Sequence, residues 1–323
     1  MSEMACLITG GAGAIGSHLV EALLALGARV DVIDDLSSGR RENLPPDQRV
    51  RLIVADVTVK NLKDVVEWDD YHYVFHLAAH FANHLSIEEP DRDMEVNILG
   101  TLNVLRCLNL SKVKRFIFAS SSCVYGPYEE ENEEFPITPS DLDTPYAISK
   151  YASEALVNFY ARNYGLKTTI LRYFNSYGPR DFPGFNRSVI PNFFAFALKK
   201  QPLPIYGTGE EMRDFTYVED VAKATVEAAG KEETSGLTIN IGTGKGVTIR
   251  ELAFSINELT GNPAGVVYLP PRPWDRCQRR IPRLERARAL LGLGNPTPLA
   301  EGLQKTWEWI KSCGNAFPAS AKP

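Results

Sequence analysis

Short apolar runs alternate with longer amphipathic stretches through the first half of the chain. Met4–Thr9 is apolar and runs into glycines; Ser17–Leu26 then repeats Leu19, Leu23 and Leu26 at helical spacing until Gly27 stops it. Further short runs at Arg29–Ile33, Arg51–Val54, Tyr73–Leu77, Phe116–Ala119 and Thr168–Leu171 predict five more strands. Helical spacing covers Met94–Leu108 and Tyr146–Tyr164, the latter stopped by Gly165. Short apolar strands alternating with amphipathic helices predict an α/β protein with a parallel sheet covered on both faces. Ligands bind such sheets at the carboxyl ends of the strands. Here those ends read Asp34-Asp35, Asp56, Ala78-Ala79 and Ser120-Ser121-Ser122.

The second half is less regular. Prolines and glycines cluster at 179–184, 202–209, 261–273 and 292–298. Between them the pattern predicts helices Val189–Leu198 and Ile249–Leu259 and a buried strand Thr238–Ile241. This implies a smaller second domain partly interleaved with the first. No internal repeat is present, and the last ten residues or so are expected to fray.

Composition narrows the class. With 323 residues and 44% hydrophobic content the chain can build one large core or two modest ones. Lys and Arg total 35 against 40 Asp and Glu, a net charge of −5, which argues against a nucleic-acid surface. The acidic run Glu129–Glu131 with Glu133 and Glu134 reads as a solvated loop. No stretch reaches the ~18 apolar residues of a membrane span, and no leader pattern opens the chain. The five cysteines are scattered and odd in number, which predicts no disulfide framework, no metal site and a cytoplasmic setting.

Two motifs carry chemistry. TGGAGAIG (9–16) spaces Gly10, Gly13 and Gly16 between a strand and a helix. Glycines let the backbone turn and approach a pyrophosphate, which then faces the free N–H groups of the helix. Asp34, ending the next strand, is placed for a ribose diol and favours NAD over NADP; Arg40 and Arg41 nearby are the basic residues that could reverse this. Asp56-Val57 is either an adenine contact or a plain strand end. In YAISK (146–150), Tyr146 and Lys150 share one helix face, downstream of the serine run. A lysine cation and a positive nicotinamide would lower the tyrosine pKa from about 10, and a serine would hold the substrate oxygen. That set suits proton removal from an alcohol as hydride leaves.

With these motifs the chain resembles the extended short-chain dehydrogenase/reductases of the NAD-dependent sugar-nucleotide epimerase/dehydratase type, and among them UDP-glucose 4-epimerases. The resemblance rests on TGGAGAIG, IDDLSSG (33–39), HLAA (76–79), SSSCVYG (120–126), YAISK, LRYFNSYGP (171–179), RDFTYVEDVA (213–222) and NIGTG (240–244), and spans about residues 4–310. It implies a Rossmann-type doubly wound parallel sheet with a smaller C-terminal α/β substrate domain. Residues 1–175, with return segments near 214–244, would bind NAD, and 176–323 a nucleotide-diphosphate sugar, with UDP favoured. Ser121 matches the catalytic serine, Tyr146 the base and Lys150 its helper. Implied cofactor contacts are Gly10, Gly13, Ala14, Ile15, Gly16, Asp34, Asp35, Ser38, Gly39, Asp56, Val57, Leu77, Ala78, Ala79, Asn97 and Tyr173, beside Tyr146 and Lys150. Implied substrate contacts are His84, Ser121, Asn175, Ser188, Val189, Arg213, Arg272 and Asp275. Arg213 and Arg272 would take the diphosphate, for which a planar guanidinium fork is suited. Tyr146 would take the 4-hydroxyl proton as hydride leaves C4, and the keto sugar would rotate and be reduced on its other face. A homodimer through helices near 97–109 and 146–163 is also implied.

Several residues depart from that pattern. Phe81 stands where these epimerases carry a lysine over the cofactor. Arg279, flanked by Arg276 and Arg280, stands near a sugar-gating position, where it would read a charged sugar, contact phosphate or simply be exposed. Dehydratases carry an Asp-Glu pair at Ser122-Cys123, and decarboxylases tend to have Glu at Cys123. The 3,5-epimerases have a cysteine there, but Phe196 replaces their second acid/base lysine. Cys123 is thus either pocket lining or an acid/base group near C5 or C6, with His80 and His84 as other proton carriers. The alternatives to a 4-epimerase are C5 proton chemistry through Cys123 and a non-catalytic dinucleotide sensor, which would not need Tyr146 and Lys150.

Overall fold

The computed structural model describes residues 4–81, 83–127, 136–184, 188–314 and 317. The acidic run at 129–134 and all but two of the last ten residues lie outside these. Six strands of the first half enter one sheet: β1 (Ala5–Thr9), β2 (Arg29–Asp34), β3 (Val50–Val54), β4 (Tyr73–His76), β5 (Arg115–Ser121) and β6 (Thr168–Tyr173). The strand Leu237–Ile241 returns from the second half to pair with β6. The order is Leu237–Ile241, β6, β5, β4, β1, β2, β3, and every pairing is parallel. Winding reverses between β1 and β4, so their carboxyl ends flank the crevice where such sheets take ligands.

Both faces of the sheet are apolar because both are covered. Cys6, Ile8, Val30 and Val32 face one layer, packed on helix α1 (Ala14–Ala25) and the helix Val218–Gly230. Leu7, Ile33, Val74 and Phe116 face the other, with Val104 and Val157 from the helices Thr101–Cys107 and Pro145–Tyr164. The strand period of two thus sorts one sequence into two cores.

Helix Pro145–Tyr164 follows its local signals. The Thr144 hydroxyl accepts from the Ala147 amide, Pro145 opens the first turn, and Gly165 closes the helix at φ 69°. The region expected as helix over Met94–Leu108 starts at Pro90 and contains a π-helical turn, Glu95–Gly100. The Asn97 carbonyl at this turn accepts hydroxyls from Thr101 and Ser153, a pattern a 3.6-residue period cannot reveal.

A third core, including Tyr177, Phe193, Phe194, Leu252, Ile256 and Leu303, organises much of the second half. Its helices are Val189–Leu198, Ile249–Thr260 and Leu299–Cys313. The short strand Met212–Asp214 pairs with Gly246–Thr248 on one side and Arg279–Arg280 on the other. Among the described residues no helix is long and apolar enough to cross a membrane.

Candidate active site

A cleft of about 1170 Å³ runs from the ends of β1, β2 and β4, past the end of β5, into the second half. It exceeds the several hundred Å³ that suit one drug-sized ligand and has room for two.

At one end the wall is mostly backbone. Gly10 has φ +74°, and a Cβ there would stand 2.6 Å from the Ala78 amide nitrogen. A Cβ on Gly16 would run into the Gly10 carbonyl. These glycines let the turn sit against the end of β4. Gly13, the N-cap of α1, has no side chain to occupy the free amides, and no acidic residue sits in the first turn. The helix end is therefore open to an anion. Ala14, Ile15, Ser38, Val57, Leu77, Ala78, Ala79 and Tyr173 line the same arm.

Asp34 ends β2 buried, accepting from the Ala12 amide through Oδ2 and the Leu36 amide through Oδ1, both at 2.9 Å. Burial raises its pKa, and those two amides work against the rise. Asp35 and Asp56 also line the cleft, with Arg92 donating to Asp56 at 2.5 Å and to Glu95 at 2.7 Å. Arg40 is turned away, its guanidinium 3.5 Å from the centre of the Phe182 ring, and neither Arg40 nor Arg41 lines the cleft. This arm is thus acidic, which would suit a free 2′-hydroxyl and oppose a 2′-phosphate.

Two of the expected cofactor contacts lie outside the wall. Gly39 packs behind Asp34, where a Cβ would stand 2.8 Å from Oδ1. Asn97 is buried in the π turn, its amide donating to Asp93 at 3.0 Å and Ser149 at 3.0 Å, and its Oδ1 accepting from the His80 amide at 2.9 Å. Both support the wall rather than form it.

The chemical end gathers Ser121, Cys123, Tyr146 and Lys150. Ser121 ends β5 and accepts from the Cys123 amide at 3.2 Å, capping a single 3-10 turn over Ser122–Tyr125. Tyr146 is 5% exposed, with the Ser121 side chain near its hydroxyl and Phe81 edge-on at 5.8 Å. Lys150 is 3% exposed, its ammonium 4.8 Å from the centre of the Phe118 ring. In the protein alone, burial outweighs the expected lowering of the tyrosine pKa. Burial first, then the neighbouring Cys123, pushes Tyr146 well above the ordinary phenol range, with Ser121 working against the rise. Burial also lowers Lys150 to about 8, while Asp93, Glu154 and Cys123 hold it from falling further. Cys123 is half-buried, and the Asn83 amide donates to its sulfur at 3.4 Å.

The third arm lies in the second half. Asn175, Ser188, Val189, Arg213, Arg272, Asp275 and His84 all line it. Arg213 donates to Asp275 at 2.9 Å, so the two are already paired. The Arg272 guanidinium lies 4.1 Å from the Tyr206 ring centre and 5.5 Å from that of Trp274. The Asn175 amide donates to the Asp214 carbonyl at 3.1 Å. His84 meets Trp274 edge-on and approaches Glu88 at 3.5 Å.

The basic loop divides by strand alternation. Arg279 points to solvent and does not line the cleft, whereas Arg280 is buried and does. Asp143, not singled out in the sequence, lines the cleft with its pKa raised by burial. Ser120 donates at 2.5 Å to Glu154, which Arg172 grips at 2.9 and 2.7 Å beneath the serine turn. No local pattern marks these pairs, because their partners lie far apart in sequence. No three His, Cys, Asp or Glu side chains converge to hold a metal among the described residues.

Comparisons with known proteins agree with this geometry. The family model for the NAD dependent epimerase/dehydratase family matches residues 6–242. A putative UDP-glucose 4-epimerase of Methanocaldococcus jannaschii is 36% identical over 310 residues, 95% of this chain and 98% of that protein. A UDP-N-acetyl-alpha-D-glucosaminuronate decarboxylase of Bacillus cytotoxicus is 36% identical over 327 residues, 96% of this chain and 98% of that protein. The structure of the Thermotoga maritima UDP-glucose 4-epimerase with UDP-glucose superposes with a TM-score of 0.86 at 37% identity, covering 96% of this chain and 99% of that one. A glycine turn under a helix end, an acidic arm and a buried Ser-Tyr-Lys set, matched by that family model over most of the chain, make this protein a member of the NAD-dependent epimerase/dehydratase family.

Proposed function

We propose that the chain epimerises a UDP-hexose at C4 through a transient 4-keto sugar. One observation carries this reading: Ser121, Tyr146 and Lys150 close a cleft whose arms hold the glycine turn on one side and Arg213, Arg272 and Asp275 on the other. When bound, NAD takes the hydride and later returns it. Ser121 holds the sugar hydroxyl, and Tyr146 removes its proton. Burial favours the protonated phenol, so proton removal depends on the Lys150 charge and on the positive charge of the oxidised cofactor. The Arg213–Asp275 pair and the stacked Arg272 are suited to anchor the nucleotide diphosphate while the sugar turns over. Ser122 and Cys123 carry no carboxylate, which supports epimerisation over loss of water from C6. Relatives named for UDP-sugars support the nucleotide. Incubation with UDP-glucose, UDP-GlcNAc, UDP-glucuronate and GDP-mannose, followed by NMR, tests the reading. A C4 epimer from a UDP-sugar is expected, and none from any of the four would overturn it.

A second reading, proton chemistry at C5 through Cys123, draws support from the position of that thiol in the cleft with Asn83 bonded to its sulfur. It predicts C5 deuteration in heavy water that disappears in Cys123→Ala. We also propose a homodimer. Leu99, Ile148, Phe159 and Tyr164 lie exposed along the two helical regions that the family resemblance pairs.

A further inference from the structure

We propose that Arg280 is a positioning residue that holds the catalytic turn in register from the nucleotide side of the cleft. The turn after β5 carries Ser121 at its start and Cys123 within it, and ends at Gly126 with φ +66°. The Arg280 fork reaches a carbonyl at each end of this turn. Nη1 donates to the Ser122 carbonyl at 2.6 Å and Nη2 to the Gly126 carbonyl at 2.5 Å. The residue is 7% exposed, so water does not readily replace these bonds.

Arg280 comes from the other side of the cleft. It lies on the short strand Arg279–Arg280, where its register partner is Arg213 on Met212–Asp214. Arg213 in turn pairs with Asp275. One strand pair therefore presents a diphosphate-arm arginine to the cleft and, beside it, the fork that grips the serine turn. From below, the same turn is tied by Tyr125 donating to Asn240 at 2.8 Å, with Arg172 over the Tyr125 ring. The turn that carries Ser121 is thus clamped from both sides of the cleft. The planar arginine fork holds two carbonyls in fixed geometry, which the rotating point charge of a lysine does not reproduce.

The proposal rests on Ser121 and Tyr146 being the reacting pair, not on which sugar is turned over. The test uses the full chain loaded with NAD, as wild type, Arg280→Met, Arg280→Lys and the exposed neighbour Arg279→Met. Hydrogen exchange at the amides of 123–126 needs no sugar and reads the turn directly. Kinetics with whichever UDP-sugar the wild type converts read its consequence. Arg280→Met is expected to speed exchange in the turn and to lower kcat on the order of 10²-fold at little changed KM. Arg280→Lys should fall between, and Arg279→Met should match wild type. If Arg280→Met does not fold, Arg280→Lys carries the test. Wild-type exchange in the turn with wild-type kcat in the Arg280 variants would overturn the proposal. So would a rise in KM with kcat kept, which would make Arg280 a substrate contact.

Discussion

The two ends of the cleft are built from different materials. The cofactor end is backbone: a turn of glycines, free helix amides and one carboxylate at a strand end. The sugar end is side chains from loops far apart in sequence, held by pairs such as Arg213 with Asp275 and Arg280 with the serine turn. Adding a methyl should therefore damage the first, whereas removing a side chain should damage the second. Between them sits the buried Ser121, Tyr146 and Lys150 set, where burial shapes the chemistry.

The largest effect is expected where the two ends meet. Tyr146→Phe removes the proposed base and should lower kcat by about 10²- to 10⁴-fold, with NAD binding largely kept in equilibrium titration. Loss of NAD binding instead would make Tyr146 part of the cofactor wall rather than of the chemistry.

The next pair opposes the ends directly. Gly10→Ala must adopt φ near +74° and meets the Ala78 nitrogen at 2.6 Å. The backbone strain alone is about 1–2 kcal/mol, so both the melting temperature and NAD affinity should fall. Arg213→Ala should leave NAD binding intact and raise KM for the nucleotide sugar on the order of tenfold to a hundredfold, since a charged hydrogen bond contributes about 1.5–3 kcal/mol. Equal losses of NAD affinity in both variants would erase the contrast.

A smaller effect appears in stability against pH. Lys150 sits at about 8 in the folded protein, below its ordinary value, because burial penalises the cation. Between that value and about 10.4 the unfolded chain holds a proton that the folded one does not. Wild-type stability therefore gains up to roughly 1.4 kcal/mol per pH unit across that window. Lys150→Met, measured without added nucleotide, should melt above wild type at neutral pH. The gap should narrow as pH rises through the window. A constant gap would show that Lys150 is not penalised by burial. The least effect on chemistry is expected from Phe159→Glu, which should shift light-scattering mass toward a monomer with turnover largely kept.

The same contrast explains what was legible in the sequence. Strand ends and the glycine turn are local, so β1 to β6, Asp34 and the helix carrying Tyr146 could be read from period and spacing. The placement of Gly39 and Asn97 could not, because both lie just behind the wall, and which side of the wall a residue takes depends on packing. Nor could the division of Arg279 from Arg280, since a two-residue strand leaves no periodic signal. The π turn at Glu95–Gly100 and the Glu154–Arg172 pair depend on tertiary partners. The burial that raises the Tyr146 pKa in the protein alone is hidden for the same reason: a motif shows a neighbouring lysine, but not how deeply both groups are buried.

The most direct single measurement follows a label at the reacting carbon. UDP-glucose carrying deuterium at C4 is incubated with the NAD-loaded protein in ordinary water and the products are read by NMR. Transfer of hydride out and back predicts a C4 epimer that keeps its deuterium at C4. An epimer that has lost the label to solvent, or no C4 epimer at all, would contradict reversible oxidation at C4.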